Sequence, residues 1–574
     1  MKLNRNILVF FICAIVLVVQ PIHSQIFFEE QANALGINIS GGSTVRLGGV
    51  SFFDYDNDGW DDLTFGTKDV DPVRFFKNNN GTFVEETFNI NVNGHSKQVI
   101  WVDYDNDGDN DLFVARLDAN NKLFQNDGNF NFTDVTASAG FSNAALISYG
   151  ASFGDYDNDG FLDVFISNKD DDGIIPNQLY HNNGDGTFTD VSVAAGISTV
   201  GHLSFCSAFF DYDKDGYLDI YISNDRMNNP NIMYHNNGDG TFTDTSAATG
   251  TNIIANAMST TIGDYNYDGW LDIYVTNTSE GNFLLKNNGD GTFTDMANYT
   301  GTLFHSIGWG AIFLDADNDM DLDMYVSGMI NNPNIGVLTS AFYESVPGYI
   351  FQIPSNAGFA NDNYRSFANA IGDVDNNGYP DFIVMNESPD NHTLWQNSGG
   401  TNNWLKVKLE GVISNKNGIG SWIEIMANGQ VMYRYTLCGE GFLSQNSASE
   451  FFGLGTATTI DYIKVNWLSG VEDMYYNVNP NQTLTLVEGE TLSTNEFSQA
   501  NFHLTPNPTK GTIQVFNVTQ PTKAVVYDVA GRLIDEMTLT SVNHTINLKA
   551  QAKGMYFVTL EQGGRKVVKK VVLQ

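Results

Sequence analysis

The chain has 574 residues, of which 42% are apolar, and a formal net charge of −39. This apolar fraction excludes a disordered acidic tail, and the length allows several domains. The charge excludes nucleic acid as a partner, because binding to phosphate needs clustered lysine and arginine side chains. It favours cations, or a strongly solvated extracellular surface.

The first 24 residues differ in composition from the rest of the chain. A short basic start, MKLNRN, precedes the apolar run ILVFFICAIVLVV, and QPIHS ends on a small residue. This order predicts a secretory signal peptide over residues 1–24, cleaved near Ser24. The alternative is a membrane anchor, which needs about 20 apolar residues. No later segment is apolar enough to span a membrane, so we expect no transmembrane segment in the mature chain.

The mature chain keeps two cysteines, Cys206 and Cys438, because Cys13 lies in the signal peptide. Two cysteines do not make a disulfide framework. Their aromatic and apolar neighbours in the sequence favour buried thiols, and the sequence leaves open whether the two pair.

Seven acidic stretches follow along the chain. They are DYDNDGWDD at 54, DYDNDGDND at 103, DYDNDGFLD at 155, DYDKDGYLD at 211, DYNYDGWLD at 264, DADNDMDLD at 315 and DVDNNGYPD at 373. Successive copies begin 49 to 58 residues apart. A period of this size is typical of a repeat architecture.

Each repeat contains the signals of four short strands. An apolar run such as CSAFF (206–210) precedes the acidic stretch, and a β-rich run such as LDIYISN (218–224) follows it. A third run ends in the turn NNGDG (236–240), and a fourth resembles FTDVSVAAGI (188–197). Short β-type runs bounded by Gly, Asn and Asp turns predict antiparallel strands, and four of them make one propeller blade.

The two ends of the array predict a closed ring. After the last repeat, TLWQNSGG (393–400) is not followed by a fourth-strand run, whereas FFEEQANALGI (27–37) has the character of that missing run. We therefore predict an all-β fold with a seven-bladed β-propeller over residues 25–400, closed by the N-terminal strand. Closure removes exposed sheet edges. An open solenoid is the alternative, but it leaves the fourth-strand run at the start of the chain unexplained.

The pattern D-x-D-x-D-G-x-x-D predicts a loop that binds Ca²⁺. Side chains at positions 1, 3, 5 and 9 and a carbonyl at position 7 would surround the ion, and glycine at position 6 permits a sharp turn. Oxygen ligands at this spacing favour Ca²⁺ over Mg²⁺, and a loop without Cys or His disfavours soft metals. The predicted ligands are Asp54, Asp56, Asp58, Trp60 and Asp62; Asp103, Asp105, Asp107, Asp109 and Asp111; Asp155, Asp157, Asp159, Phe161 and Asp163; Asp211, Asp213, Asp215, Tyr217 and Asp219; Asp264, Asn266, Asp268, Trp270 and Asp272; Asp315, Asp317, Asp319, Asp321 and Asp323; and Asp373, Asp375, Asn377, Tyr379 and Asp381.

The copies differ in ways that predict different affinities. Asn266 and Asn377 each remove one charge from the fifth and seventh loops, and Met320 replaces the turn glycine of the sixth. We expect the sixth site to be the most degraded, because a side chain is costly at positive φ. Solvated acidic turns are the alternative, but seven copies in register favour metal. We predict up to seven structural Ca²⁺ ions, each adding about 1.4 kcal/mol at ~1 mM Ca²⁺ and a Kd of ~0.1 mM.

On these motifs, residues 28–400 resemble the FG-GAP/VCBS repeats of integrin-α-type β-propellers. The resemblance implies that such loops bind Ca²⁺ between the inner strands of each blade.

Residues 401–490 have a different character. NWLKVKLEGVISNKNGIGSWIEIMANGQ (403–430), GEGFLSQNSASEFFGLG (439–455) and IDYIKVNWLSGVEDM (460–474) predict a small β-sandwich or barrel without acidic loops. These stretches resemble the ASPIC/UnbV domain. The resemblance implies a domain that follows such a propeller along the chain, and it does not identify a ligand.

A polar linker is predicted over residues 491–501, followed by a last β-domain over residues 502–574. From residue 501 onward the chain has nine Lys and Arg against four Asp and Glu, unlike the acidic remainder. PNP (506–508), YDVAGR (527–532) and the basic terminal strand resemble the type A C-terminal sorting domain of the type IX secretion system, an Ig-like β-sandwich. The resemblance implies the secretion machinery as a partner, and a location outside or on the outer membrane of a Bacteroidota-like bacterium. The alternative is an additional sandwich module.

The sequence contains no HExxH motif or P-loop, and we find no convincing nucleophile elbow. His181 and His235 occupy equivalent repeat positions, which we interpret as architectural. Insertions at 168–178, 224–231 and 327–349 are candidates for recognition. The sequence therefore favours a secreted or cell-surface, non-catalytic binding or adhesion protein with a glycan or protein ligand. The alternative is an extracellular polysaccharide lyase or hydrolase.

Overall fold

The structure is a computed structural model that describes residues 26–40, 48–67, 71–92, 94–329, 337–490, 503–516, 518, 521–528, 532–540, 544–562 and 565–574. It is nearly all β, with 47% strand and 2% helix, which confirms the predicted all-β class. The predicted signal peptide and the predicted linker lie outside the described residues. The chain divides into two compact units, Met1–Gly489 and Glu490–Gln574.

In the described part of the first unit, the strands of the acidic repeats pair antiparallel in seven groups of four. The second and third groups are joined into one eight-stranded sheet, because Leu146 and Ile147 pair with Ala119 and Leu117. The first strand of the chain is β1 (Phe28–Glu30). Sheet 1 contains β2 (Val50–Phe53), β3 (Asp62–Phe65), β4 (Arg74–Asn78) and β5 (Phe83–Glu86). Sheet 2 contains β6 (Ser96–Val102), β7 (Asp111–Ala119), β8 (Lys122–Gln125) and β9 (Thr133–Asp134). Sheet 3 contains β10 (Leu146–Gly154), β11 (Asp163–Asn168), β12 (Gln178–Asn182) and β13 (Phe188–Asp190). Sheet 4 contains β14 (Ser204–Phe210), β15 (Asp219–Asn224), β16 (Ile232–Asn236) and β17 (Phe242–Asp244). Sheet 5 contains β18 (Thr261–Gly263), β19 (Asp272–Val275), β20 (Phe283–Asn287) and β21 (Phe293–Asp295). Sheet 6 contains β22 (Gly308–Leu314), β23 (Asp323–Gly328), β24 (Ala341–Val346) and β25 (Ile350–Gln352). Sheet 7 contains β26 (Ser366–Gly372), β27 (Asp381–Asn386), β28 (Thr393–Asn397) and β1.

The outer strand of sheet 7 comes from the start of the chain. Phe28 of β1 pairs with Asn397 of β28, and Glu30 pairs with Trp395. The order β26-β27-β28-β1 gives this sheet the same four strands as the others.

Burial falls from the first strand to the fourth strand of a sheet. β6 and β14 are buried along their whole length, whereas β13 and β17 each expose two of three residues. Two short helices, α1 (Ser246–Thr249) and α2 (Ala297–Thr300), follow fourth strands, and a 3₁₀ turn covers Phe359–Asn361. The first strands are therefore the interior of the repeat array.

Residues 403–487 form two further sheets in the same compact unit. The first has the order β33-β29-β36 and the second the order β31-β30-β34-β35, and a short strand β32 pairs with β2. The strands are β29 (Asn403–Glu410), β30 (Trp422–Ala427), β31 (Gln430–Tyr435), β32 (Ser444–Gln445), β33 (Ser449–Gly455), β34 (Ile460–Asn466), β35 (Glu472–Val478) and β36 (Gln482–Val487).

Residues 438–447, here called the central loop, leave this small domain and reach every sheet of the repeat array. Ser444 and Gln445 pair in parallel with Val50 and Ser51 of β2. The Gln445 amide accepts a hydrogen bond from the Trp101 N–H (2.8 Å) and donates one to the Trp101 carbonyl (2.7 Å). The remaining contacts join Cys438 to Phe153, Phe442 to Phe205 and Trp309, Gly441 to Thr260 just before β18, and Asn446 to Ile371. The first strands therefore surround one segment of the small domain.

The second unit is built from two sheets with the orders β37-β38-β41 and β40-β39-β42-β43. The strands are β37 (His503–Thr505), β38 (Thr512–Phe516), β39 (Thr522–Asp528), β40 (Leu533–Leu539), β41 (Thr545–Asn547), β42 (Gly554–Gln562) and β43 (Arg565–Leu573). Its core includes Ile513, Val526, Ile546 and Val558, which are fully buried.

Cys206 and Cys438 are both buried, as their neighbours in the sequence predicted, and they do not pair with each other. Among the described residues, no helix has the length and hydropathy needed to cross a membrane.

Candidate metal centres in the acidic loops

Each acidic stretch joins the first strand of a sheet to the second, and its first aspartate shapes the turn. In the first loop, Asp54 accepts hydrogen bonds from the N–H of Asp58 (3.0 Å) and of Gly59 (3.1 Å). The same pair of bonds occurs in all seven loops, at 2.8–3.2 Å. The aspartate at position 1 therefore closes the turn through the backbone.

The aspartate at position 9 fixes the loop to the sheet. Asp62 accepts hydrogen bonds from the N–H of Tyr55 (3.2 Å) and of Asn78 at the end of the third strand (2.7 Å). The equivalent bonds occur in every other loop. These carboxylates are buried, so they hold the backbone in register and place one acidic group beneath each loop.

The loops also contain carboxylate oxygens that lack a protein partner. The carboxylates of Asp54, Asp56 and Asp58 offer oxygens within 4.8 Å of one another, and two other loops have the same arrangement at positions 1, 3 and 5. At position 3, one oxygen of each of Asp105, Asp157 and Asp213 is buried without a hydrogen bond to any described residue. A buried, unsatisfied carboxylate oxygen is costly unless a cation meets it. This donor set fits a divalent cation that takes oxygen ligands.

Burial and mutual repulsion raise the pKa of these carboxyl groups. Desolvation, together with neighbouring carboxylates, raises the pKa of Asp62 and of Asp111 to about 9. The same causes raise the pKa of Asp155 to about 8 and of Asp103 to about 7. Without a cation, the loops therefore hold protons near neutral pH, and a divalent ion would displace them.

The sixth loop keeps the shape of the others although Met320 replaces the turn glycine. Met320 has φ +85°, in the left-handed region, and its N–H still donates to Asp315 (3.0 Å). Its carbonyl accepts a hydrogen bond from Gln430 of the small domain (2.8 Å). The loop therefore forms with a strained residue at position 6, and its reduced metal binding stays a prediction.

One side chain of the third strand faces each loop, and its charge differs among repeats. Lys77 contacts Asp56 and Asp58, and Lys286 contacts Asp268 (2.7 Å). The other equivalent residues are Gln125, His181, His235, Glu344 and Gln396. Gln125 donates to Asp105 (2.7 Å) and Gln396 to Asp375 (3.2 Å). Burial and the carboxylates of the sixth loop raise the pKa of Asp317, and the carboxylate of Glu344 adds to this effect.

The two histidines lie against their loops. His181 Nδ1 lies 3.3 Å from Asp157 Oδ2 and 3.2 Å from Asp163 Oδ1. The adjacent carboxylate of Asp163 raises the pKa of His181 to about 9. His235 lies in the same way beside Asp213 and Asp219, and its pKa is raised to about 9. This contact could not be predicted from the sequence pattern, because His181 follows Asp163 by 18 residues and lies on another strand.

Asparagine at position 4 joins several of the loops to a neighbouring loop, a role that the sequence pattern did not predict. Asn106 donates to the carbonyl of Gly160 (2.8 Å), and Asn158 donates to that of Gly216 (2.9 Å). Asn376 of the seventh loop donates to the carbonyl of Gly59 in the first loop (2.9 Å). These bonds therefore join the second loop to the third, the third to the fourth, and the seventh to the first.

Two lysines of the small domain contact the first and seventh acidic loops. Lys406 Nζ lies 2.8 Å from Asp373 of the seventh loop, and Lys408 Nζ lies 3.4 Å from Asp54 of the first. Each also contacts the asparagine at position 4, Asn376 or Asn57. The first and seventh loops are therefore partly neutralised by the neighbouring domain.

Three protein families match successive parts of the chain. An FG-GAP-like repeat matches residues 54–114, 103–166, 155–222, 211–275 and 264–326. The family described as ASPIC and UnbV matches residues 411–493, and a secretion system C-terminal sorting domain matches residues 503–574. All three resemblances predicted from the sequence motifs are confirmed.

Two relatives share part of this chain. Cartilage acidic protein 1 of Homo sapiens is 28% identical over 205 residues, which are 34% of this chain and 30% of that protein. The Xenopus tropicalis protein of the same name is 27% identical over 199 residues, 33% of this chain and 30% of the relative. The match thus spans about a third of the length of these relatives.

Among solved structures, the extracellular domain of a one-component system from B. thetaiotaomicron aligns with 96% of this chain and 60% of its own length. The sequence identity is 10% and the TM-score is 0.38. We draw no functional conclusion from a similarity at this level.

Proposed function

We propose that this chain, which carries FG-GAP-like repeats, an ASPIC/UnbV domain and a C-terminal sorting domain, is a calcium-stabilised binding or adhesion protein without catalytic activity. The sorting domain indicates export to the extracellular or outer-membrane surface of a Bacteroidota-type bacterium through the type IX secretion machinery. The repeats indicate a binding or adhesion role. The ligand would be an extracellular glycan or protein.

The repeat array would be a seven-bladed propeller over residues 25–400, closed by β1. Support comes from β1 pairing with β28, and from hydrogen bonds that run from the seventh loop to the first. Closure leaves no open sheet edge at the end of the array. The insertions over residues 168–178 and 224–231, in which Ile174 and Met227 are exposed, would be candidates for ligand recognition.

Calcium would be held by the carboxylates at positions 1, 3 and 5 of each loop, with position 9 beneath them. The observation that carries this proposal is the buried, unpartnered oxygen of Asp105, Asp157 and Asp213, because oxygens in this state need a cation. The ion would neutralise the loops and hold the first two strands of each sheet together. Its role would be structural, since the ligands also organise the turn.

A binding screen paired with a turnover assay tests this function. The mature chain, in Ca²⁺, would be applied to a glycan array and to extracellular matrix proteins, and the same polysaccharides would then be assayed for new reducing or unsaturated ends. Binding without product is the expected result. Turnover that is lost when a loop acid is replaced would contradict the proposal and favour a polysaccharide lyase or hydrolase.

A further inference from the structure

The two most exposed large apolar side chains of the described residues lie at one groove. Val193 is 76% exposed and Ile174 is 73% exposed. The groove has a volume of about 190 Å³ and is lined by Val193, by Ile175, which follows Ile174, and by Thr199, which precedes Val200. Val200 is itself 62% exposed. Ile174, Val193 and Val200 are here called the aliphatic patch.

We propose that the aliphatic patch binds a partner protein through a segment that carries both aliphatic and basic side chains. The inference rests on the proposed binding function and deepens it, because it names the class of ligand and the surface that contacts it. The patch lies on loops that join β11 to β12 and β13 to β14. Both loops are at the opposite end of their sheet from the acidic loop, so the patch is separate from the candidate metal centres.

Backbone contacts hold the two loops of the patch together. A Cβ atom on Gly201 would lie 2.6 Å from the carbonyl carbon of Gly173, so the loop that carries Val200 packs directly on the loop that carries Ile174. Lys169, at the start of the second of these loops, pairs with Leu203 in an isolated β-bridge. The aliphatic side chains therefore belong to one continuous surface.

A buried carboxylate fixes the turn that exposes Ile174. Asp170 accepts hydrogen bonds from the N–H groups of Asp172 (3.1 Å), Ile174 (2.8 Å) and Ile175 (3.0 Å). The backbone is thus held in place while the Ile174 side chain points into solvent. Because the turn is already ordered, little conformational freedom is lost when a partner binds.

The fold does not require an apolar residue at the position of Val193. Four other repeats have the same nine-residue run from Phe to Gly, and where this repeat has Val193 they carry Asn33, Ala137, Ala247 or Asn298. Small or polar residues therefore suffice for the turn. An apolar cluster that is exposed without a structural need indicates a contact surface.

The charge around the patch indicates the chemistry of the partner. The Asp171 side chain is 71% exposed, Asp172 is exposed, and Asp190 is exposed at the wall of the groove. The one basic residue of the loop over 168–178, Lys169, is buried and contacts Asp171 (2.9 Å). Basic side chains of a partner would complement this border, whereas a second copy of this acidic chain would be repelled.

The aliphatic character of the patch favours a protein over a glycan. Burial of aliphatic side chains is favourable when they meet apolar surface. A protein segment with side chains such as leucine or valine offers that surface. A polyhydroxylated chain would instead have to give up hydrogen bonds to water at a face that cannot replace them.

Peptide binding to the full mature chain in Ca²⁺ tests the inference. The probes are three synthetic peptides of equal length, which alternate leucine with lysine, leucine with glutamate, or serine with lysine, and fluorescence anisotropy measures their affinity. We expect the leucine–lysine peptide to bind at least about ten-fold more tightly than the other two, because it alone matches both the patch and its acidic border.

Variants locate the binding. The double variant Ile174→Ser/Val193→Ala should lower the affinity for the leucine–lysine peptide about ten-fold. It should fold, because alanine already occupies the Val193 position in two repeats, and its melting temperature in Ca²⁺ verifies this. Val84→Ser, at a 53% exposed residue of the first repeat, is the matched control and should leave the affinity unchanged. Asp172→Asn should weaken the binding and reduce its dependence on salt.

A wild-type chain that does not bind the leucine–lysine peptide would overturn the inference, as would a double variant with unchanged affinity or an equal loss in Val84→Ser. Self-association of the wild type that the double variant loses would overturn it in favour of a second copy. A glycan-array signal that the double variant loses would overturn it in favour of a glycan. These results leave the proposed binding function standing, which is contradicted instead by turnover of a polysaccharide.

Discussion

The side-chain amide of Asn78 donates a hydrogen bond to the carbonyl of Val374, 2.9 Å away, and so joins the first acidic repeat to the seventh. Four other asparagines at the same repeat position make the equivalent bond to the preceding repeat: Asn182 to Tyr104, Asn236 to Tyr156, Asn287 to Tyr212 and Asn397 to Ala316. The bond of Asn78 is the one that returns from the end of the array to its start.

Replacing this residue should weaken the closure of the ring. In the Asn78→Ala variant, the carbonyl of Val374, the carbonyl of Asp61 and the N–H of Gly81 lose a buried partner. We expect a loss of about 1–3 kcal/mol in the free energy of unfolding, measured by urea denaturation in Ca²⁺. The control is Asn183→Ala, at an exposed turn, which should change stability by less than about 0.5 kcal/mol. Equal effects of the two variants would contradict a role in closure.

The lysines of the third strand should compete with the metal. In the double variant Lys77→Gln/Lys286→Gln, the first and fifth loops lose an ammonium group that contacts their carboxylates. We expect Ca²⁺ to bind these two loops about five-fold more tightly, because roughly 1 kcal/mol of charge repulsion is removed. Titration calorimetry measures the change. Lys122→Gln, whose ion pair with Asp134 lies outside the loops, serves as the control. Unchanged or weaker binding by the double variant would show that the lysines do not compete.

The metal-free protein should lose stability as the pH rises. Burial raises the folded-state pKa of Asp62 and Asp111 to about 9 and that of Asp155 to about 8, from an ordinary value of 3.8. The folded chain then binds more protons than the unfolded chain between these values, so the contribution to stability is complete below about pH 4 and is lost as the pH rises toward 9. We expect the melting temperature in chelator to fall from pH 5 to pH 9, and this fall to disappear in saturating Ca²⁺. A melting temperature in chelator that rises over this range would contradict the raised pKa values.

The central loop should hold the small domain to the repeat array. The Gln445→Ala variant leaves the N–H and carbonyl of Trp101 and the hydroxyl of Ser51 without their buried partner. We expect a loss of about 2–4 kcal/mol in the free energy of unfolding. Gln482→Ala, which removes an exposed hydrogen bond of the same domain, is the matched control. If the small domain were independent of the array, Gln445→Ala would have no larger effect than this control.

Much of this architecture follows from local patterns in the sequence. The turn residues and the fixed period locate the acidic loops, and apolar runs such as CSAFF before Asp211 locate the strands on either side. The residues at positions 1, 3, 5 and 9 of the pattern predict the carboxylates around each loop, because the spacing of these residues along the chain is enough to bring their side chains together.

Contacts between distant residues were not predictable in this way. Gln445 meets Ser51 across 394 positions of sequence, and GEGFLSQNS has no periodicity that separates it from the neighbouring strands. His181 and His235 were interpreted as architectural, although each lies against an acidic loop. Their role depends on the register between the second and third strands, which determines the face on which a side chain lies.

Calcium removal tests the central claim most directly. At ~1 mM Ca²⁺ and a Kd of ~0.1 mM, each occupied loop contributes about 1.4 kcal/mol, so several occupied loops should dominate the stability of the array. The measurement is the calcium content of the purified mature chain, together with its melting temperature before and after treatment with EDTA. We predict several bound calcium ions per chain and a steep fall in melting temperature in EDTA. A chain that carries no calcium and melts at the same temperature in EDTA would contradict the account.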